Sequence, residues 1–409
     1  MQQLTQLPSM LSTLRRHKTA ASLIVLEIAL TSAIIINALH LIGNRITALA
    51  TDNGVPEAEL VMLAVRDTGG AGDAHEISAR DLQALRALPG VKSVAIANQV
   101  IYGDSSNNSG VRKGPAQDAA PVSAAAYAGT EDLLRTMGLK LLAGRDFKPE
   151  EFQSGSVVGA QSEPRVGQII INRALAEKLF VGQAAVGQLI YVFGDTPSVV
   201  IGVVDQLSHP KPRLAGSSEG YAMLWPIRPS FRGGNYLLRV DPARRDALLK
   251  AASAALEQID ATRIVSAAQP LTEMRRTYYA QDRSMAWLLG GVIVALLLVT
   301  AFGIVGLASF WVQQRTRMIG IRRALGASQG QIQRYFQAEN FLLTSVGIAL
   351  GMVGALGLSL VLMESYELPR LPWMYLPVGA VVLWALGQLA VLAPARRAAK
   401  LPPMAAMRG

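Results

Sequence analysis

The sequence contains no cysteine and only four histidines among its 409 residues. Without cysteine the chain can form no disulfide, so any domain in an oxidising compartment must be stabilised by its own hydrophobic core. The histidines (His17, His40, His75 and His209) show no spacing typical of a metal site. Neither a disulfide scaffold nor a metalloenzyme is therefore expected.

The sequence supports neither of two common catalytic motifs. No G-x-x-x-x-G-K-[ST] occurs, so the chain has no loop of the usual kind for cradling ATP phosphates. The pattern G-x-S-x-G occurs at 216–220 and 326–330, but no histidine is placed to activate a serine at a strand-turn-helix. The residues predict no catalytic site, no metal and no cofactor in this chain.

Charged residues are sparse, at 17%, whereas 51% of the residues are hydrophobic. The apolar residues are pooled into four runs long enough for helices that cross a hydrocarbon core of roughly 30 Å. The first run, 20–42, is too long for a cleaved signal peptide, whose apolar region has about 7–15 residues, so a retained anchor is favoured. The predicted membrane helices are 19–43, 284–312, 341–363 and 375–394.

The net charge of +10 is concentrated outside the long segment between the first two helices. Between Arg45 and Arg283 there are 26 Lys and Arg against 25 Asp and Glu. Of the remaining 13 basic residues, all except Arg370 lie in 1–18, 313–340 and 395–409, which by the positive-inside rule face the cytoplasm. The charge therefore reports topology and not nucleic-acid binding, both termini are predicted inside, and 44–283 and the short loop 364–374 are predicted outside.

The external segment predicts an α+β domain with two lobes. Strand 59–66, a helix over 78–88 capped by Ser78, and strand 91–97 form one βαβ-like half. Strand 236–240, helix 243–258 and a strand near 263–266 form a second half. The two halves indicate one lobe interrupted by an inserted lobe at about 121–205, in which strand 169–172, helix 173–180 and a hairpin of 189–193 with 199–204 are expected.

The segment 313–340 lies between two membrane helices and predicts a short amphipathic helix from Met318 onward. Gly326 fits a helix stop, and Ser328 with Gln331 forms a capping box that starts the next helix. Local chemistry thus predicts helix, tight turn and helix. A basic helix resting on anionic lipid is the alternative interpretation of the arginines.

Several stretches resemble one family of transporter subunits. GLKLLAGRDFKPEE, INRALAEKLFVGQAAVGQLIYV and VIGVVDQ are similar to the periplasmic core domain of MacB-like permeases. The pattern R-T-R-x-I-G-I-R-R-A-L-G-A-S resembles the signature of FtsX/MacB-type ABC permeases, and PARRAAKLPPMAAMR resembles their C-terminal tail. In the periplasmic stretches the matching residues are expected to serve turns and helix caps.

The resemblance implies that 313–340 is a coupling segment that docks on a separate ATPase. The residues carried over for this role are Arg317, Met318, Ile319, Gly320, Ile321, Arg322, Arg323, Ala324, Leu325, Gly326, Ala327 and Ser328. Met318 departs from the pattern, because the family usually has Glu at this position. The departure puts the strength or the choice of the ATPase contact in question.

Glu27 and Asn37 are polar residues within the first membrane helix. Glu27 costs free energy in lipid unless it is paired or faces protein. It is interpreted as an interhelical residue, with a gate or substrate contact as the alternative. Asn37 is expected on roughly the same, protein-facing side of the helix.

The resemblance implies a permease subunit of a bacterial inner-membrane ABC transporter that works by mechanotransmission, with ATP and Mg bound by a partner ATPase dimer. A peptide, antibiotic or lipid-linked substrate would be exported or extracted. The implied partners are a second permease copy or a paralogous permease, membrane lipid and a periplasmic adaptor. One alternative is an FtsX-like scaffold that regulates a cell-envelope hydrolase, but the large external domain argues against it. The other is a sensor, but no cytoplasmic signalling domain is expected in the sequence.

Overall fold

The computed structural model describes residues 18–69, 73–115, 121–160, 165–212, 220–229, 234–260, 262–366 and 370–400. They form two compact units, one containing the described residues up to Leu49 and from Gln281 onward, the other running from Ala50 to Ala280. The predicted N-terminal segment up to residue 17 and the tail from residue 401 lie outside the described residues.

The helices and strands alternate in the order of an α+β domain inserted into a helical unit. The α-helices are α1 (Lys18–Ala50), α2 (Ala74–Arg86), α3 (Leu133–Met137), α4 (Gly155–Ala160), α5 (Arg173–Leu179), α6 (Arg245–Ile259), α7 (Leu271–Tyr278), α8 (Ala280–Gln314), α9 (Thr316–Ala324), α10 (Gln329–Tyr366) and α11 (Tyr375–Ala399). Short 3-10 helices cover Glu57–Glu59, Pro149–Glu151 and Pro242–Arg244.

The strands all belong to the unit from Ala50 to Ala280. They are β1 (Leu60–Asp67), β2 (Val91–Ala97), β3 (Asn108–Val111), β4 (Val122–Ala128), β5 (Leu141–Gly144), β6 (Gln153–Ser154), β7 (Gln168–Asn172), β8 (Leu189–Phe193), β9 (Thr196–Val204), β10 (Ala222–Trp225), β11 (Ile227–Arg228), β12 (Gly234–Val240) and β13 (Arg263–Pro270).

The first lobe is a four-stranded antiparallel sheet with strand order β13-β1-β12-β2. The strands β1 and β2 joined by α2 are separated by β12, and β12 and β13 joined by α6 are separated by β1. Both halves are therefore split βαβ units. The helices α2 and α6 cover one face, where Leu82, Leu85, Leu248 and Leu256 pack against Val61, Leu63 and Leu238.

The second lobe is inserted between β2 and β12. Its seven-stranded sheet has the order β3-β4-β10-β7-β9-β5, and β8 also pairs with β9. Asn172 ends β7 and caps α5, because its side-chain oxygen accepts the amide of Leu175 at 3.1 Å. Its side-chain nitrogen donates to the carbonyls of Leu207 and Gly220. The Asn in the stretch INRALAEKLF is thus a structural cap.

The structure differs from the sequence interpretation in two details of this unit. The helix predicted from Ser78 begins at Ala74, because Asp73 caps it by accepting the amide of His75 at 3.0 Å. Ser78 is buried within the helix. The second lobe extends beyond 121–205, since β3 lies before this range and β10 returns after it to pair with both β4 and β7.

The other unit contains four helices, α1, α8, α10 and α11, that are long and apolar enough to span a bilayer. Ile28, Ile304, Ile348 and Leu383 meet in its core. A Cβ on Gly351 would lie 2.4 Å from the Cβ of Ser32, so glycine is required where α10 crosses α1. The predicted fold class, four membrane helices with a two-lobed α+β domain between the first two, is confirmed.

Candidate coupling site

The segment between α8 and α10 folds as the predicted helix, turn and helix. Gly326 has φ +94°, and its amide and that of Ala327 donate to the carbonyls of Arg323 and Arg322 at 3.1 and 3.0 Å. This is a complete Schellman motif, which requires a left-handed residue at the position of Gly326. The turn is thereby fixed by backbone hydrogen bonds.

The start of α10 is fixed just as firmly. The hydroxyl of Ser328 accepts the amide of Gln331 at 3.2 Å, and the side-chain oxygen of Gln331 accepts the amide of Ser328 at 2.9 Å. Both halves of the predicted capping box are therefore formed. The helix then continues without a break to Tyr366, so the predicted coupling segment and third membrane helix share one helix.

One side of α9 is buried against α10 and α11. Ile319 and Gly320 are buried. Ile319 belongs to a hydrophobic cluster with Ile332, Phe336 and Ala395. The guanidinium of Arg322 lies 5.0 Å from the ring centroid of Tyr335, within the range of a cation–π contact. These contacts hold α9 against the helical unit.

The opposite side of α9 presents apolar side chains outward. Met318, Ile321 and Leu325 are 36%, 46% and 83% exposed and follow one another at intervals of three and four residues. The exposed arginines Arg317 and Arg322 flank them. We call Met318, Ile321 and Leu325 the outer stripe.

The amphipathic helix predicted from sequence therefore divides differently in the structure. Ile319 points into the unit, whereas Met318 belongs to the outer stripe. The remaining residues of the predicted docking set lie at the surface or partly buried: Arg323 and Ala327 are half-buried, and Ala324, Gly326 and Ser328 are exposed.

A buried ion pair joins the start of α9 to α10. Nη1 of Arg315 lies 3.0 and 2.7 Å from the two carboxylate oxygens of Glu339, and the two residues are 8% and 1% exposed. The guanidinium also lies 5.4 Å from the ring centroid of Trp311. Arg315 is the residue immediately before α9, so the pair fixes the junction between α8 and α9.

This pair is not predictable from the sequence pattern. Arg315 is one of several basic residues in 313–340, and Glu339 lies just before the third apolar run. The available signal was an acidic residue at the edge of a membrane helix, which needs a partner. Their separation of 24 residues gave no local pattern to name that partner.

The two intramembrane polar residues contact different helices. The Glu27 carboxylate lies against Gly303 of α8, where an added Cβ would be 2.5 Å from Oε2. Asn37 donates to the carbonyl of Ala355 on α10 at 3.1 Å. Both residues face protein, but the structure places them toward two different neighbours and not along one shared contact.

The described residues contain no group of three or more His, Asp or Glu side chains placed to hold a metal ion. A helical unit with four candidate membrane spans, joined to a large folded α+β domain between the first two, defines the chain as a polytopic membrane protein with an external domain.

The model of the MacB-like periplasmic core domain matches residues 22–259, and the model of the FtsX-like permease C-terminal domain matches residues 290–403. The chain therefore belongs to the family of ABC transporter permeases that combine a MacB-like periplasmic core domain with an FtsX-like permease domain.

The relatives include proteins from several bacteria. The macrolide export ATP-binding/permease protein MacB of Chromobacterium violaceum is 30% identical over 288 residues, which are 68% of this chain and 42% of that protein. The ABC transporter permease YknZ of Bacillus subtilis is 27% identical over 278 residues, 66% of each chain. The crystal structure of the periplasmic region of MacB from Actinobacillus actinomycetemcomitans has a TM-score of 0.34 and 15% identity, covering 56% of this chain and 97% of that one.

Proposed function

We propose that this chain is the permease subunit of an ABC transporter, and that the outer stripe of α9 docks on a partner ATPase on the cytoplasmic side. The chain spans 42% to 66% of the length of these two relatives, so their activities come to it only as part of this proposal. The observation that carries it is the outer stripe itself. Three exposed apolar side chains stand on a helix whose two ends and inner side are all fixed.

A helix-in-groove contact explains this arrangement. Such contacts use apolar anchors at intervals of three and four residues, which are the intervals of Met318, Ile321 and Leu325. The flanking arginines would meet acidic or phosphate groups at the rim of the groove. The lipid alternative accounts for the arginines, whereas the Schellman turn and capping box favour a protein partner, because lipid binding does not require a rigid helix orientation.

The same contacts support mechanotransmission. ATP-driven closure of two ATPase subunits would move α9, and Arg315 with Glu339 would pass the movement to α8 and α10 together. The helix α8 has 35 residues and is about 52 Å long at 1.5 Å per residue. It is continuous from Gln314 to Ala280, so it would carry the movement to the external domain.

The wider assignment is part of the same proposal. The basic clusters of the sequence support a bacterial inner-membrane location with both termini in the cytoplasm. Two permease copies, identical or paralogous, would pair with an ATPase dimer that binds ATP and Mg. A periplasmic adaptor and lipid contacts complete the expected partners, and the cargo would be a peptide, an antibiotic or a lipid-linked molecule handled on the external side.

The test is ATPase binding and stimulation by full-length variants in nanodiscs, with the partner first identified by mass spectrometry of the purified complex. Changing Leu325→Asp places a charge in the outer stripe without touching the buried side of α9. Val181→Asp is the matched control, because Val181 is 80% exposed, close to the 83% of Leu325, but belongs to the external domain. We expect loss of co-purification and stimulation for Leu325→Asp only.

Charge reversal gives a second arm. The double substitution Arg322→Glu and Arg323→Glu is expected to weaken the complex. Because Arg323 is half-buried, thermal melting must confirm that the double variant is folded. Unchanged ATPase binding and stimulation in both Leu325→Asp and the double variant would refute the docking proposal. Stimulated hydrolysis without cargo movement would instead favour the FtsX-like scaffold.

A further inference from the structure

The external domain has an edge strand whose protection is limited to a bulge at Ser266 and a proline at its end, Pro270. The strand β13 is the outermost strand of the first lobe and pairs only with β1 among the described residues. It is eight residues long, carries no charged side chain from Ile264 to Gln269, and exposes 50% of Ile264. Natural edge strands are commonly shortened, charged or covered, because their free backbone groups pair with other chains.

Beside this edge lies an open cleft of about 780 Å³. Its floor is the face of the first sheet that α2 and α6 leave uncovered. Met62, Ala64 and Arg66 alternate along β1 and line the cleft, and Gln269 and Ala267 of β13 lie opposite Met62 and Ala64 in the strand register. The small side chains in the middle leave room for a ligand over the backbone of the edge strand.

One wall of the cleft is held in a strained conformation. Tyr102 has φ +65°, the only positive value for a residue other than glycine in the described part of the chain. Its hydroxyl donates to Glu57 at 2.9 Å and its amide to the carbonyl of Pro210 at 2.8 Å. Backbone strain that is over-determined in this way is typical of ligand clamps.

The cleft has different chemistry at its two ends. Arg66 is exposed, and its guanidinium has no hydrogen-bond or ion-pair partner among the described residues. Four residues earlier on the same face of β1, Met62 lines the cleft, as do Met274 of α7 and the exposed Asp104. At about 3.4 Å per residue the two ends are roughly 14 Å apart.

We infer that β13 and this cleft form a binding site for an extended peptide cargo, which adds to the sheet as a fifth strand. Free backbone groups of an edge strand select an extended peptide backbone, and the cleft beside it then accepts alternate side chains. The spacing assigns an acidic side chain to Arg66 and, four positions away on the same face, an apolar side chain to the methionines. Methionine adapts to differently shaped partners, so one site would accept several sequences.

This inference rests on the proposed transport function for the identity of the ligand as cargo, but its test requires no ATPase. Full-length protein in nanodiscs is incubated with a library of capped octapeptides, and bound peptides are identified by mass spectrometry against empty nanodiscs. We expect enrichment of peptides with an acidic and a large apolar residue four positions apart. Absence of enrichment would overturn the inference while leaving the ATPase-docking proposal intact.

Two protein variants test the position of the bound peptide, with the most enriched peptide as the ligand. Arg66→Glu is expected to weaken binding about fivefold, the upper range for an exposed ion pair, and a lysine in place of the acidic residue should restore it. Arg80→Glu is the matched control, since Arg80 is also exposed but lies on α2, which covers the other face of the sheet. Equal effects of the two substitutions would contradict the site.

N-methylation of the peptide distinguishes strand addition from side-chain binding alone. Alternate amides of an added strand point toward β13, so methylating one set should weaken binding about tenfold, whereas methylating the other set should leave it nearly unchanged. Equal tolerance of both sets would exclude pairing with the edge strand. Thermal melting of each protein variant confirms that it is folded.

Discussion

Each unit of this molecule contains a buried arginine–carboxylate pair, and the two pairs serve different ends. In the external domain, Nη2 of Arg263 lies 2.7 Å from Oδ2 of Asp81, and the side chains are each 1% exposed. The hydroxyl of Tyr236 donates to the same oxygen at 2.6 Å. In the helical unit, Arg315 and Glu339 are paired beside Trp311.

The two ion pairs differ in the elements that they connect. Asp81 on α2, Arg263 at the start of β13 and Tyr236 on β12 join a helix to two strands within one closed core, so this cluster stabilises a fold. Arg315 and Glu339 join the residue before the candidate docking helix to the helix after it. Buried pairs are weak evidence for stability but strongly destabilise when only one partner is removed. Single and paired substitutions therefore separate the two roles.

The largest expected effect is that of Asp81→Ala. It leaves Arg263 buried without its carboxylate and removes the acceptor of Tyr236, so we expect the external domain to lose about 4 kcal/mol of stability. The measurement is thermal and denaturant unfolding of the full chain, followed by the β-sheet signal in circular dichroism. The double variant Asp81→Leu with Arg263→Met should recover most of the loss, and a double variant as unstable as the single one would contradict a simple ion-pair role.

Glu339→Ala tests the other half of the comparison. We expect about 3 kcal/mol of destabilisation, because Arg315 remains buried, together with loss of ATPase stimulation. The exchange Arg315→Glu with Glu339→Arg restores opposite charges and should recover stability. If stability returns and stimulation does as well, the pair acts by holding the junction of α8 and α9; if Glu339→Ala stimulates the ATPase normally, the pair is structural only.

The turn after α9 gives a smaller effect with a matched control on the same element. Gly326→Ala is expected to destabilise by about 1.5 kcal/mol, because alanine is strained at φ +94°. Gly330→Ala, one turn further on, should stabilise by about 1 kcal/mol, since it replaces a helical glycine. A Cβ at either position meets nothing within 4 Å, so thermal melting of the two variants compares backbone effects alone. A shift of the same sign in both would contradict the Schellman turn.

The smallest expected effect is a pH dependence confined to the external domain. Burial lowers the pKa of His209 below its usual 6.5, and Asn108 and Lys211 hold the neutral ring. The unfolded chain then binds the proton more readily, so this contribution to stability is complete above pH 6.5 and declines as the pH falls toward the lowered pKa. His209→Gln should reduce the dependence of the melting temperature on pH below pH 6.5. The same substitution at the exposed His75 should leave that dependence unchanged.

Much of the architecture could be predicted because its signals are local. Apolar runs predicted the four membrane helices, and short strand-like stretches predicted β1, β2 and β12. Gly326, Ser328 and Gln331 predicted the turn and the capping box of the candidate site. The predicted start of α2 was wrong. Asp73 and Ser78 are both residue types that cap helices well, and only packing decides between them. The predicted extent of the second lobe was too short, because β10 pairs with β4, which lies about a hundred residues earlier in the sequence.

The sequence by itself determined the class of this protein. The positions of its apolar runs, the placement of its basic residues and its helix caps depend on hydrophobicity, charge and local hydrogen bonds, which act over a few residues. The tertiary structure alone decided which side of α9 is buried, that Arg315 meets Glu339, and that β13 borders an open cleft. Those features depend on contacts between segments distant in the chain, for which no local pattern exists.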